Sequence, residues 1–239
     1  MKKKIMIGCP TQGNISYEFV FGKDSDPKWR GHSYTGLLAG AMKWCLDNGH
    51  TLDIAPCPRT YRDNARQQLA EKAIEEGCTH IFFIDDDMLH PPDIVQKLME
   101  YNKDIVSGLY FTRGGHYHPL LMKRAKLEMA KYEPMYEYPK GLVEVDATGG
   151  GCLLIKTDVF KKLKKPWFVK NHVYGEDTYF CELARRAGFK IFVDTNLVCG
   201  HLGDKEIIDE DLWLSKGYKS FVKKRMHKNS DEELYTSTK

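Results

Sequence analysis

The chain has 239 residues, 42% hydrophobic and 29% charged, with a formal net charge of +3, which suits one compact domain with a short appendage. No apolar run approaches the roughly 20 residues that cross a bilayer, and so mild a charge does not by itself call for nucleic acid. The seven cysteines contain no C-x-x-C pair and resemble neither a disulfide framework nor a structural zinc site, so a reducing, cytoplasmic setting is expected.

Met1-Lys2-Lys3-Lys4 opens like a secretory leader, but the apolar stretch after it breaks at Pro10 and reads as a first strand over Lys4–Cys9. Pro10-Thr11-Gln12-Gly13 is then a loop at its C-terminal end. Ser33 to Asn48 places Leu37, Leu38, Ala41, Met42, Cys45 and Leu46 at helical spacing, with Gly49 as the stop. Thr51–Pro56 predicts a second strand. Asp63 to Glu76 predicts a second helix through Ala65, Leu69, Ala73 and Ile74, closed by Gly77. His80–Ile84 is continuously apolar, as a central strand buried on both faces should be. Pro91-Pro92-Asp93 opens a helix through Met99, and Asp104–Phe111 is the next strand. The alternation predicts an α/β fold: a mostly parallel sheet with right-handed crossovers and helices on both faces.

The second half is less regular. Pro119–Lys123, Leu142–Asp146, Cys152–Ile155 and Ile191–Asp194 read as strands, and Gly149-Gly150-Gly151 as a turn. Thr157 is expected to cap a short helix over Asp158–Leu163, and Gly175-Glu176-Asp177 opens a helix to Ala187. Lys123–Lys140, polar and rich in Lys and Tyr, reads as a loop or surface excursion.

Asp85-Asp86-Asp87 follows the apolar strand directly, where ligands bind in an open α/β sheet. Continued alternation would put Asp85 and Asp87 on one side and Asp86 on the other. Convergent carboxylates suit a hard divalent cation that also holds diphosphate oxygens, and their mutual repulsion is costly without one. The competing reading is a solvated acidic turn before a helix.

Ile81–Met88 with Pro91-Pro92-Asp93 resembles the D-x-D region of GT-A glycosyltransferases, most closely the family-2-like enzymes. Further elements follow in the matching order. Gly149-Gly150-Gly151 resembles the glycine loop, Gly175-Glu176-Asp177 the x-E-D motif, and His201 in Cys199-Gly200-His201-Leu202 the late histidine of the metal shell. The resemblance implies a GT-A fold over residues 1–205, with a nucleotide-sugar part over 1–112, a smaller antiparallel acceptor part over 113–205, and a basic helical tail over 206–239.

It also implies roles. Asp87 and His201 are metal ligands; Asp85 meets the metal or the donor's ribose; Asp86 supports the turn. Asp177 is the general base of an inverting transfer, oriented by Glu176. Pro10, Thr11, Arg66, Asp85, Asp86 and the three glycines form the donor side, although an arginine on a helix more often faces solvent. An imidazole ligand favours Mn²⁺ over Mg²⁺. The expected donor is a nucleotide sugar, UDP-linked by preference. The acceptor stays open among a glycan, a lipid-linked sugar and a hydroxymethylated DNA base. The basic tail (Lys216, Lys219, Lys223, Lys224, Arg225, Lys228) could meet an anionic acceptor. Arg113 could reach either substrate. His116 and His118 lack the acidic or sulfur partners of a zinc pair. Two rivals are a sugar-phosphate nucleotidyltransferase, for which the first loop lacks the matching arginine, and a non-catalytic nucleotide-sugar-binding module.

Overall fold

The computed structural model describes residues 2–11, 15–23, 26–58, 61–113, 116–125, 132–203 and 206–217. The first half contains β1 (Lys4–Thr11), α1 (Tyr17–Phe21), α2 (Tyr34–Asp47), β2 (Thr51–Pro58), α3 (Arg62–Glu75) and β3 (His80–Ile84). It continues with β4 (Met88–Leu89), α4 (Ile94–Glu100) and β5 (Ile105–Leu109). Next come β6 (Met122–Arg124), β7 (Tyr132–Pro134), β8 (Leu142–Val145), β9 (Cys152–Lys156) and α5 (Thr157–Lys162). The chain then forms α6 (Glu176–Arg186), β10 (Ile191–Val198), β11 (Gly200–Leu202), β12 (Ile207–Ile208) and α7 (Glu210–Leu212).

Seven strands form the main sheet in the order β2-β1-β3-β9-β5-β10-β8. Five run the same way; β9 is antiparallel to both neighbours, β3 and β5, and β8 is antiparallel to β10. The expected parallel arrangement therefore holds, with β9 wedged into it. Hydropathy could not place β9, because a strand buried on both faces reads the same in either direction.

Alternate residues of each strand feed separate cores. Met6, Ile81, Phe83, Leu153 and Ile155 pack with Leu69 and Ala73 of α3, Phe160 of α5 and Phe180 and Ala184 of α6. Ile5, Ile7, Phe82, Ile84 and Leu154 pack with Phe19 of α1, Leu37 and Ala41 of α2, and Val95 and Leu98 of α4. The sheet is covered on both faces. Gly49 and Gly77 follow α2 and α3 at φ 66° and 69°, the left-handed stops their positions suggested.

Several local expectations are corrected. β1 runs to Thr11, so Pro10 and Thr11 lie in the strand, opposite Cys57 and Pro58, and not in a loop. Pro10 is tolerated because β3 pairs with β1 only as far as Gly8. The helix after Pro91-Pro92 starts at Ile94. Thr157 does not cap α5: it is the first helical residue, and its hydroxyl donates to the Cys78 carbonyl at 2.7 Å. Within the Lys123–Lys140 segment, β6 and β7 pair as antiparallel strands, a hairpin where a loop or surface excursion was expected. Tyr132 of that hairpin donates to Glu182 of α6 at 2.5 Å.

Residues 206–217 fold back on the sheet's end. β12 pairs with β11, Trp213 is buried against Phe111 with ring centroids 5.7 Å apart, and Lys140 holds Glu210 at 2.7 Å. The basic stretch from Lys219 to Lys228 lies outside the described residues. No helix among the described residues is long and apolar enough to cross a membrane.

Candidate active site

The ends of β1, β3 and β5, the start of β9, the first turn of α6 and β11 meet at one edge of the sheet. β3 stops at Ile84 and residues 85–87 turn away, so pleat alternation does not decide where the three carboxylates point. Asp85 Oδ1 accepts from Arg66 Nη2 at 2.7 Å. Asp87 meets Arg113 Nη2 at 3.0 Å and His201 Nε2 at 3.4 Å. Burial first and then the charge of Asp86 push up the nearby Cys9 thiol.

His201 reaches Asp87 through the small sheet. β4 begins one residue after Asp87 and pairs with β11, which sets His201 opposite Met88, and Leu202 N donates to Asp87 O at 2.8 Å. His201 Nδ1 lies 2.7 Å from the Phe111 carbonyl, which can only accept, so Nδ1 carries the proton. Nε2 is then the ring atom that faces the Asp87 carboxylate, the position from which it would bind a cation. A neutral imidazole nitrogen beside a carboxylate oxygen is a donor set that fits Mn²⁺. Asp85 does not join them in a three-ligand cluster among the described residues; its Oδ1 is committed to Arg66.

Arg66 is no surface residue. It is 1% exposed, its guanidinium lies 5.7 Å from the centroid of the Phe83 ring, and Nε is 3.8 Å from Glu176 Oε1. Burial works against its charge, but Asp85, Glu176 and Asp177 outweigh burial and hold it above the ordinary arginine value. Arg66 thus ties the turn after β3 to the start of α6 across a span the sequence does not reveal.

The glycine loop is shaped around these groups. A Cβ at Gly150 would lie 2.6 Å from Arg66 Cζ, and one at Gly149 2.1 Å from the Tyr110 hydroxyl. Gly151 N donates to that hydroxyl at 2.8 Å, and a Cβ there would sit 3.2 Å from Asp85 Oδ2. Tyr110 is buried, and burial followed by the charges of Asp85 and Asp177 raises its pKa well above the usual phenol value. Sequence reasoning did not single out Tyr110; its place at the C-terminal end of β5 was the available signal.

α6 begins after Gly175, whose φ of −66° and ψ of 163° are extended and which offers no side-chain cap. Asp177 Oδ1 accepts the Thr178 N–H at 2.7 Å. A helix N-terminus on its own lowers a carboxyl pKa. The Asp177 carboxyl is instead pushed up to about 6, by burial first and then by the charge of Glu176, against the pull of Arg66. Desolvation therefore dominates over the dipole, and the group is poised near neutrality.

Pro10 and Thr11 end β1 beside β2, beyond its pairing with β3, and Thr11 is buried. His116 and His118 have rings 5.6 Å apart, His118 Nδ1 bonds the Tyr136 hydroxyl at 3.0 Å, and neither joins a three-ligand cluster among the described residues.

No family model matches the chain, and no curated protein matches it in sequence. Among solved structures, it is similar to A197 from STIV at a TM-score of 0.53 and 18% identity, over 87% of this chain and 93% of that one. It is also similar to GalNAc-T7, solved with UDP, GalNAc and Mn²⁺, at a TM-score of 0.51 and 13% identity. That match covers 84% of this chain but 44% of the GalNAc-T7 chain. At such identities the likeness is one of fold: a GT-A-like α/β architecture.

Proposed function

We propose that this protein is a metal-dependent glycosyltransferase that moves a sugar from a nucleotide-diphosphate donor, UDP-linked by preference, to an acceptor hydroxyl with inversion. The observation that carries the reading is Asp177, a half-buried carboxyl raised to about 6 at the start of α6, linked through Arg66 to the Asp85 turn. A base at that pKa is ionised at neutral pH yet still basic enough to accept a proton. The likeness in fold to a protein solved with UDP, GalNAc and Mn²⁺ supports the choice of donor and metal.

In this reading the donor occupies residues 1–112 and the acceptor 113–205. Pro10, Thr11 and the Gly149–Gly151 loop bound the nucleotide side. Asp85, fixed by Arg66, meets the ribose; Asp86 braces the turn. Asp87 and His201 hold the cation, with Asp85 contributing at most through water. Mn²⁺, when bound there, supplies positive charge to the departing diphosphate. As the acceptor oxygen bonds to the anomeric carbon, its proton passes to Asp177, and the sugar–phosphate bond breaks with its electron pair leaving on the nucleoside diphosphate. Glu176 keeps Asp177 basic by its charge.

The acceptor is a hydroxyl on a glycan, a lipid-linked sugar or a modified base, and the basic tail is the segment suited to an anionic one. The test is incubation with a panel of nucleotide sugars and Mn²⁺, following nucleotide release by chromatography. Release from one donor, abolished by Asp177→Asn or Asp87→Ala, is the expected outcome. A purified, folded chain that releases nucleotide from none and binds none with Mn²⁺ contradicts the proposal.

A further inference from the structure

Behind the candidate active site lies a second group of metal-ligating side chains that the proposed reaction does not use. His90, Cys152 and Cys199 are each 0% exposed, and a ring nitrogen of His90 and the two sulfurs lie within 4.8 Å of one another. The sequence spacing of these residues concealed them, because they come from three separate elements. His90 follows β4, Cys152 begins β9 and Cys199 lies between β10 and β11. We propose that these three residues form a structural Zn²⁺ site that clamps together the three segments carrying the active site.

Four observations support it. The sulfurs are 3.7 Å apart, and two thiolates on one tetrahedral zinc, each at about 2.3 Å, stand about 3.8 Å from each other. His90 Nε2 lies 2.9 Å from the Gly151 carbonyl and so carries the proton, the arrangement by which metal-bound histidines are fixed. His90 Nδ1 is the ring nitrogen left to face Cys152, with which it interacts, and it is buried with no other hydrogen-bond partner among the described residues. Finally, Gly108 of β5 opens the space. A Cβ there would come 3.1 Å from Cys152 Sγ and 3.3 Å from Cys199 Sγ, and the Gly108 amide donates to Cys152 Sγ at 3.4 Å.

Charge selects the ion. Zn²⁺ entering this site displaces one proton from each thiol, and two thiolates with a neutral imidazole leave the cluster uncharged, as a dry core requires. A monovalent copper ion would leave a net negative charge there. The three side chains supply three of the four tetrahedral positions. The Asp53, Glu76 and Cys78 group, at the opposite end of β3, does not compete, because the Lys4 ammonium already sits on it, 2.8 Å from Asp53 Oδ2. Each proposed ligand borders an active-site element: His90 follows the Asp85–Asp87 turn, Cys152 the glycine loop, and Cys199 precedes His201.

The experiment is metal analysis of the purified full chain after loading with zinc and dialysis, together with the absorption spectrum of the Co²⁺-loaded chain. Wild type and the control Cys45→Ala are expected to keep zinc in about equimolar amount, with Cys152→Ala and Cys199→Ala lower by at least about tenfold. Cobalt should give a thiolate charge-transfer band in wild type. That band separates this site from the Asp87–His201 pair, which holds no sulfur, so the outcome is independent of the proposed transferase activity. Wild type that retains no zinc, or cobalt-loaded wild type with no thiolate band, overturns the proposal, as does equal zinc content in the folded cysteine variants. The wild-type readings decide the matter even if a variant fails to fold.

Discussion

Asp177→Asn should make the protein more stable at neutral pH while removing its activity. The carboxyl rises from the ordinary 3.8 to about 6 in the fold, because burial and Glu176 disfavour its charge. At about 1.4 kcal/mol per pKa unit, ionising it in the fold costs up to about 3 kcal/mol. The sign follows from which state binds the proton more tightly. Below pH 3.8 the group is protonated folded and unfolded alike, so it adds no penalty. Between 3.8 and about 6 the folded state holds the proton longer, and stability falls as pH rises. Above about 6 the full penalty stands. Asn mimics the protonated acid and keeps an oxygen to accept from Thr178 N, so it escapes the penalty. The assay is urea unfolding of wild type and Asp177→Asn, without metal or nucleotide, from pH 4 to pH 8. The stability difference should be small at the acid end and grow to about 2–3 kcal/mol in favour of Asn above pH 6. A difference that stays constant with pH would refute the reasoning.

Arg66→Met removes the buried charge that meets Asp85, Glu176 and Asp177, and should destabilise the fold by about 3–5 kcal/mol in urea unfolding. Gly149→Ala drives a Cβ to 2.1 Å from the Tyr110 hydroxyl and should cost about 1–3 kcal/mol in the same measurement. Nucleotide release should rise with pH through about 6 as Asp177 ionises and level off above it, read as a pH–rate profile. Glu182→Gln should loosen the β6–β7 hairpin, seen as faster amide exchange near Tyr132. Burial pushes the Glu182 carboxyl up, but its bonds to Tyr132, Arg186 and Arg185 prevail and hold it down to about 2.

Much of the architecture was legible because periodicity reports burial. The apolar run His80–Ile84 and the spacing of Leu37, Ala41 and Cys45 state which elements are buried and on which side. The order in which strands lie side by side was not legible, since β9 joins β3 and β5 through contacts with no sequence signature. The same limit applies to the site. Motif order predicts Asp87, Glu176, Asp177 and His201 in one site. It could not bury Arg66, because a charged residue on a helix is hidden only when distant carboxylates, here Asp85 and Glu176, converge on it. Tyr110 and the His90, Cys152 and Cys199 group escaped notice for the same reason. Their meaning lies in proximity across strands, not in spacing along one.

The most direct test of the central claim is calorimetric binding of UDP with and without Mn²⁺, for wild type, Asp87→Ala, His201→Ala and Asp177→Asn. Wild type should bind UDP when Mn²⁺ is present. Asp87→Ala and His201→Ala should lose more than about tenfold in affinity, and Asp177→Asn, which alters the base and not the donor site, should bind as wild type does. UDP binding that is indifferent to Mn²⁺ and to Asp87, or no binding at all, would contradict the account.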